Sequence, residues 1–207
     1  MSKREHWEKV YQSKRETDVS WYRPHLERSL DLIARTGAGP DAHILDVGGG
    51  ASTLVDDLLA RGFRHITVVD IAQAALDATK KRLGDRARDV EWRVGDITTL
   101  ELPSESIDVW HDRAVFHFLT NEADRKDYLD RVCCALKPGG HVVLAAFGPE
   151  GPEKCSGLSV VRYSPESLHA EFGDAFRMVE HFDEHHRTPW GTEQEFVYCM
   201  CIKSGEC

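Results

Sequence analysis

His43-Ile44-Leu45-Asp46-Val47-Gly48-Gly49-Gly50 decides the fold. A short apolar strand runs straight into three glycines, and a helix is expected beyond them over about Ser52 to Arg61. The same alternation continues downstream. Ile66-Thr67-Val68-Val69 reads as a strand ending at Asp70, with a helix over about Ala72 to Leu83. Val90 to Val94 and Ile107 to His111 read as two more strands, and Glu122 to Leu136 as a helix. Lys137-Pro138-Gly139-Gly140 is expected to stop that helix and turn the chain into Val142-Val143-Leu144-Ala145-Ala146, a strand apolar enough to be buried on both faces. Strands alternating with helices imply a parallel sheet with right-handed crossovers. The fold class expected is α/β: a Rossmann-like, doubly wound, seven-stranded sheet with helices on both faces.

The ends of the chain fit around this core. Helices are expected over about Arg4 to Tyr11 and Pro24 to Arg35, the second opening on a proline. Ser164-Pro165-Glu166 has the form of a capped helix start. Phe176 to Arg187 and Glu195 to Lys203 read as strands joined through Pro189-Trp190-Gly191, and a connection that short joins only antiparallel neighbours. One domain is expected over residues 1–207, with N-terminal helices over 1–40, a core over 41–147 and a loop, helix and antiparallel strands over 148–207.

Composition narrows the function. The formal net charge is −9, from 26 Lys and Arg against 35 Asp and Glu. An acidic chain lacks the pull that a phosphate backbone exerts on basic proteins, so no nucleic-acid partner is expected. No apolar run is long enough to span a bilayer, and Met1-Ser2-Lys3-Arg4-Glu5-His6 does not read as a secretory signal, which points to a cytoplasmic protein. The cysteines (133, 134, 155, 199, 201 and 207) show no C-x-x-C pairing, and no metal site is expected. Five are read as small packing residues; Cys155, in a polar loop over Phe147 to Val161, is read as an exposed and reactive thiol.

In a doubly wound sheet ligands bind at the carboxyl ends of the strands. Four of these ends carry suggestive groups. Glycines 48–50 let the backbone approach a ligand closely. Asp70 can accept bonds from the two hydroxyls of a ribose. Asp96, in Gly95-Asp96-Ile97, can accept from an exocyclic amine. Asp112, Arg113, Ala114 and His117 follow the next strand, where a reactive centre would sit.

Taken together, Ile44 to Gly50, Val68-Val69-Asp70-Ile71, Val94-Gly95-Asp96-Ile97, Ile107-Asp108-Val109-Trp110 and Leu136 to Gly140 resemble the class I S-adenosylmethionine-dependent methyltransferases in order and spacing. The resemblance covers roughly residues 42–147. Ser52 stands where that family usually has a third motif glycine. The resemblance implies S-adenosyl-L-methionine as cofactor and S-adenosyl-L-homocysteine as product. It implies that Asp46, Gly48, Gly49 and Gly50 line the methionine part and that Asp70 holds the ribose. Gly95 and Asp96 would receive the adenine, with Ile71 and Ile97 on its two faces, while Asp112, Arg113 and Ala114 lie under the sulfonium. Trp7, Tyr11 and Trp21 resemble the aromatic lid of small members, able to exclude water.

For the acceptor, Arg113 and His117 are the candidate positioning or catalytic groups, and Arg162, Tyr163 and His185 the candidate substrate contacts. A small-molecule acceptor is favoured on size and acidity. A protein lysine methyltransferase is the alternative within enzymes, and a non-catalytic module that binds S-adenosylmethionine or S-adenosylhomocysteine is the alternative outside them. A nicotinamide-dependent oxidoreductase is disfavoured, because the last glycine of its fingerprint would fall at Thr53.

Overall fold

The computed structural model describes residues 2–205. Its centre is a seven-stranded sheet in the order β3-β2-β1-β4-β5-β9-β8. The strands are β1 (His43–Val47), β2 (His65–Asp70), β3 (Glu91–Val94), β4 (Ile107–Arg113), β5 (Leu136–Phe147), β8 (Phe176–Arg187) and β9 (Glu193–Lys203). β1 to β5 pair in parallel, while β9 is antiparallel to both β5 and β8. The α/β class, the strand count and the antiparallel last strand are those expected. Cys207 lies outside the described residues.

Helices cover both faces because the strands of the parallel half are apolar on both. Helices α2 (Glu27–Arg35), α3 (Leu54–Ala60) and α4 (Gln73–Leu83) bury Leu30, Ile33, Leu54, Leu58 and Leu76 against Ile44, Val68, Val109 and Val143. Helices α5 (Glu122–Ala135) and α6 (Pro165–Ala170) bury Tyr128, Val132 and Leu168 against Leu45, Val69, Trp110 and Leu144. Residues one apart on a strand enter opposite layers, which is the period-2 geometry of a pleated sheet.

Three local differences from the sequence reading have physical causes. Helix α2 starts at Glu27, not at Pro24. The Arg23 carbonyl accepts from Thr53 Oγ1 (2.9 Å), and its guanidinium reaches Glu184 (2.8 Å), so residues 23–26 are held out of the helix. Lys137 to Gly140 does not separate helix from strand. Strand β5 begins at Leu136, and Gly139 takes φ +76° where the β4–β5 register shifts. The loop after β5 also contains a small hairpin, β6 (Lys154–Cys155) with β7 (Leu158–Ser159). Short α1 (Lys3–Ser13) opens on a capping box from Ser2 and Glu5.

On the α5 face Asp112 is fully buried. It accepts from Tyr128 Oη (2.7 Å) and from the backbone N–H groups of Val115 (2.8 Å) and Phe116 (3.1 Å). Trp110 Nε1 in turn donates to Tyr128 Oη (2.8 Å). Burial lifts the Asp112 carboxyl to about 6, against the pull of those donors. Tyr128→Phe strips the shared hydroxyl and leaves two buried polar groups short of a partner. It should destabilise the protein by about 1–3 kcal/mol, read as a lower urea midpoint at unchanged slope.

Candidate active site

The sheet order reverses between β1 and β4, and the cleft opens there, at the carboxyl ends of the strands. About 1310 Å³ of space lies within it, mouth included.

One half lies over β1, β2 and β3. Gly48 follows β1 with φ +66°, and a side chain there would drive into Val115. Asp70, at the end of β2, is buried. Its Oδ2 accepts from the Gly50 N–H (3.1 Å) and its Oδ1 from the Ala72 N–H (2.8 Å). Each oxygen keeps a second lone pair for a ligand hydroxyl. Burial is the main reason that the carboxyl rises to about 6; the two N–H donors oppose it, and the Asp46 and Glu8 charges add to it. At the end of β3, Asp96 Oδ1 accepts from both the N–H (3.0 Å) and the hydroxyl (2.8 Å) of Thr98, which fixes the carboxylate and leaves Oδ2 as an acceptor. Ile71 and Ile97 border the same space.

A roof crosses this half. Trp7 stacks edge-on against Phe118 (5.2 Å between centroids) and Trp21 (5.8 Å), and Tyr11 packs on Trp21 (6.4 Å). All four rings line the cleft. Burial, then the Asp70 charge, pushes the Tyr11 phenol well above its usual value, so it stays neutral. The roof is tied down by two carboxylates. Glu8 accepts from the N–H groups of Gln73 (2.6 Å) and Ala74 (3.1 Å), supplying α4 with the cap that Ala72 cannot. Glu16 pairs with Arg82, whose guanidinium also holds Asp56 (2.7 Å) and the Ser52 carbonyl (2.6 Å).

The other half lies beyond β4, over β5 and β9. Arg113 reaches across β5, donating from Nε to Tyr198 Oη (2.9 Å) and from Nη1 to the Trp21 carbonyl (3.0 Å). Its guanidinium sits over the Phe196 ring at 4.8 Å. Phe147, Cys155, Gln194 and Phe196 line this end.

A buried chain of hydrogen bonds joins the two halves. Asp46 Oδ1 meets His111 Nδ1 (2.7 Å), and His111 Nε2 meets Ser29 Oγ (2.8 Å). Tyr198 Oη contacts Ser29 and accepts from Arg113. With the imidazole neutral, Nδ1–H donates to the carboxylate and Nε2 accepts from the serine. Both ring nitrogens are therefore engaged. Asp46 Oδ2 is buried with no partner among the described residues.

Of the residues expected to meet the cofactor, Trp7, Tyr11, Trp21, Asp46, Gly48, Gly49, Asp70, Ile71, Gly95, Asp96, Ile97, Arg113 and Ala114 all border the cleft. Gly50 does not; it packs between Asp70 and Ala75 and helps by orienting the carboxylate. Asp112 faces the opposite layer, because it alternates with His111 and Arg113 on β4. The substrate-side expectations are corrected more heavily. His117 is fully buried away from the cleft, its ring between Phe118 and Phe147, accepting from the Phe147 N–H (3.3 Å). Burial and the Arg113 charge lower it to about 3, so it is neutral at physiological pH. Tyr163 is buried in the α5–α6 layer, and Arg162 holds the Gly151 carbonyl (3.3 Å); both brace the loop after β5. His185 points outward from β8. Its neighbour His186 is the buried one, accepting from Arg23 Nε (3.0 Å) and donating to the Ser20 carbonyl (2.6 Å). Cys155 is 6% exposed rather than exposed, and burial raises its thiol to about 11, so it is a wall and not a nucleophile.

The sequence reading missed His111, Gln194 and Phe196. Their signal was strand pairing: His111 is the register partner of Asp46, and Phe196 that of Phe147. Among the described residues no cluster of His, Cys, Asp or Glu is placed to hold a metal ion, and no helix is long and apolar enough to cross a membrane.

Comparison with known proteins agrees with this geometry. Residues 44–140 match the family model described as a methyltransferase domain. The eEF1A lysine and N-terminal methyltransferase of Mus musculus is 29% identical over 121 residues, covering 58% of this chain and 17% of that protein. The chain thus spans about a sixth of that relative's length. Among solved structures, an S-adenosylmethionine-dependent methyltransferase from Anabaena variabilis superposes with a TM-score of 0.76 at 15% identity, covering 98% of this chain and 96% of that one. The 1,6-didemethyltoxoflavin-N1-methyltransferase of Burkholderia thailandensis, with S-adenosylhomocysteine bound, gives 0.66 at 20% identity, covering 94% and 81%. Residues 44–140 are thus similar to a methyltransferase domain, and the cradle fits S-adenosylmethionine: a bend that only glycine allows, with Asp70 and Asp96 retaining free acceptor capacity beside it.

Asp70 gives a pH dependence. Its carboxyl is raised to about 6, and only the ionised form keeps both oxygens as acceptors for a ligand diol, such as the ribose expected there from the sequence. Affinity for S-adenosylhomocysteine should therefore be flat above pH 7 and fall as pH drops through 6, by about tenfold per unit. Calorimetric titrations between pH 5 and 8 check this, and Asp70→Asn should flatten the profile at the weak-binding level.

Proposed function

We propose that this protein transfers the methyl group of S-adenosylmethionine to a small-molecule acceptor. The observation that carries the reading is the lining of the acceptor half: Phe118, Phe147, Phe196 and Trp21 face the cleft there, an aromatic wall suited to a small molecule. Helix α1 and the segment that follows it to Trp21 act as the lid of the cleft.

When bound, the cofactor supplies a methyl group already activated on a sulfonium. The residues then have to bind, orient and exclude water. Asp70 accepts from the ribose hydroxyls and Asp96 Oδ2 from the adenine amine, with Ile71 and Ile97 against the ring faces. Asp46 Oδ2, buried and unpartnered, is an acceptor for the cofactor's ammonium group. Gly48 and Gly49 let the backbone approach the methionine portion, and Ala114 leaves room beneath it. Trp7, Tyr11 and Trp21 keep water from the reacting atoms and set aromatic faces near the positive sulfur. His111 is not the base, since both of its nitrogens are committed to Asp46 and Ser29. An acceptor that must lose a proton gives it to solvent, so acceptors already deprotonated near neutral pH are favoured.

A second reading is a protein lysine acceptor. It is supported by the relative named for eEF1A lysine and N-terminal methylation, a likeness confined to 58% of the chain. The two readings part in one experiment. The protein is incubated with methyl-labelled S-adenosylmethionine and a cell extract split by ultrafiltration into metabolites and macromolecules. Label is expected in the low-mass fraction; label confined to polypeptide would favour the second reading. Trp7→Ala should lower turnover by roughly ten- to a hundredfold through water entry and lost positioning.

A further inference from the structure

The acceptor half of the cleft contains an incomplete cation. Arg113 has two of its three guanidinium nitrogens committed, Nε to Tyr198 and Nη1 to the Trp21 carbonyl. The third, Nη2, is buried with no hydrogen-bond partner among the described residues. No Asp or Glu among them forms an ion pair with Arg113; Glu184, the nearby carboxylate, pairs with Arg23 instead. Arg113 is half-buried as a residue, but leaving a buried N–H of its guanidinium unpaired is costly, and a native fold tolerates it where a ligand completes it.

Its position identifies the ligand. Across the sheet Arg113 pairs with Ala145, and Ala145 with Tyr198, so the side chain extends over β5 towards β9. That direction leads away from β1, β2 and β3, which carry Asp46, Asp70 and Asp96. The surrounding wall is Phe118, Phe147, Phe196 and Cys155, apolar and largely aromatic, with the guanidinium stacked on Phe196. Gln194 adds a second buried polar atom without a partner, Oε1.

We infer that the acceptor is a small aromatic or apolar acid, and that Arg113 Nη2 anchors its carboxylate or an equivalent acidic oxygen. This rests on the methyltransferase reading and names the substrate class of the same site. The two fixed hydrogen bonds hold the guanidinium plane still, so the anchor sets the acceptor's distance from β4 as well as contributing a charge-assisted bond. The neighbouring rings select against strongly hydrated acids.

The test uses the whole protein and five titrations. S-adenosylhomocysteine is titrated first; failure of the wild-type protein to bind it removes the methyltransferase reading and this inference with it. Benzoate and 2-naphthoate are then titrated into the S-adenosylhomocysteine-saturated protein, each against its primary amide. The acids are expected to bind at least tenfold more tightly than the amides. Arg113→Gln should bring the acids down to the level of the amides, and S-adenosylhomocysteine should lose much less affinity than the acids do. Equal binding of acids and amides to the wild-type protein overturns the inference, as does an acid preference that survives Arg113→Gln. A selective loss of S-adenosylhomocysteine affinity in that variant assigns the guanidinium to the cofactor's own carboxylate, which also overturns it. Should Arg113→Gln lose cooperative unfolding, Arg113→Lys takes its place; it keeps the charge without the planar fork and should weaken the acids several-fold.

Discussion

Both halves of the cleft depend on one buried line of polar contacts: Asp46, His111 and Ser29 joined by hydrogen bonds, Tyr198 beside Ser29, and Arg113 bonded to Tyr198. It runs from β1 through β4 and α2 to β9 and back to β4, under the floor of the site. Asp46, His111, Ser29 and Tyr198 are each at most 2% exposed. A buried polar chain is stabilising only when every member is satisfied, so each residue fixes the orientation of the next. The acid on the cofactor side and the cation on the acceptor side are thereby held in one frame. Two ends remain open, Asp46 Oδ2 and Arg113 Nη2, and they have opposite charge preferences. The frame fits ligands that bring an ammonium group to one end and an acidic oxygen to the other.

The sequence revealed the parallel half of this molecule well. Strand β1 is found at the residues read for it, because a five-residue apolar run bounded by glycine has few other ways to bury its side chains. The cofactor half was equally legible, since its groups lie within a residue or two of strand ends and act largely through backbone geometry that glycine and aspartate announce. Pro24 misled for a physical reason. Proline suits a first helical turn, but the bonds made by Arg23 to Thr53, Glu184 and His186 hold that stretch out of the helix, and none of those partners is local in sequence.

The acceptor half was not legible, and the cause is parity. On β4, β8 and β9 a shift of one residue exchanges cleft for outer layer. His185 and His186 are equivalent in a sequence and opposite in the structure. Asp112 and Arg113 belong to different layers, and the Arg113 environment is assembled from Trp21, Phe196 and Tyr198, distant along the chain. His117 looked chemical because it follows a strand end; the turn after β4 instead rotates it among Phe118 and Phe147. Chemistry that arises from register is invisible until the pairing of the strands is known.

Glu8 has a further consequence. Its carboxylate terminates α4, yet it belongs to α1, which buries none of its own residues fully and forms part of the roof. Admitting or releasing a ligand by lifting α1 must therefore uncap a second helix, whose first turn adjoins Asp70 and Ile71. Gate and cradle share one fastening: under the proposed function, a lift of α1 that admits or releases ligand would also loosen the helix start beside Asp70, coupling the departure of cofactor product and methylated product.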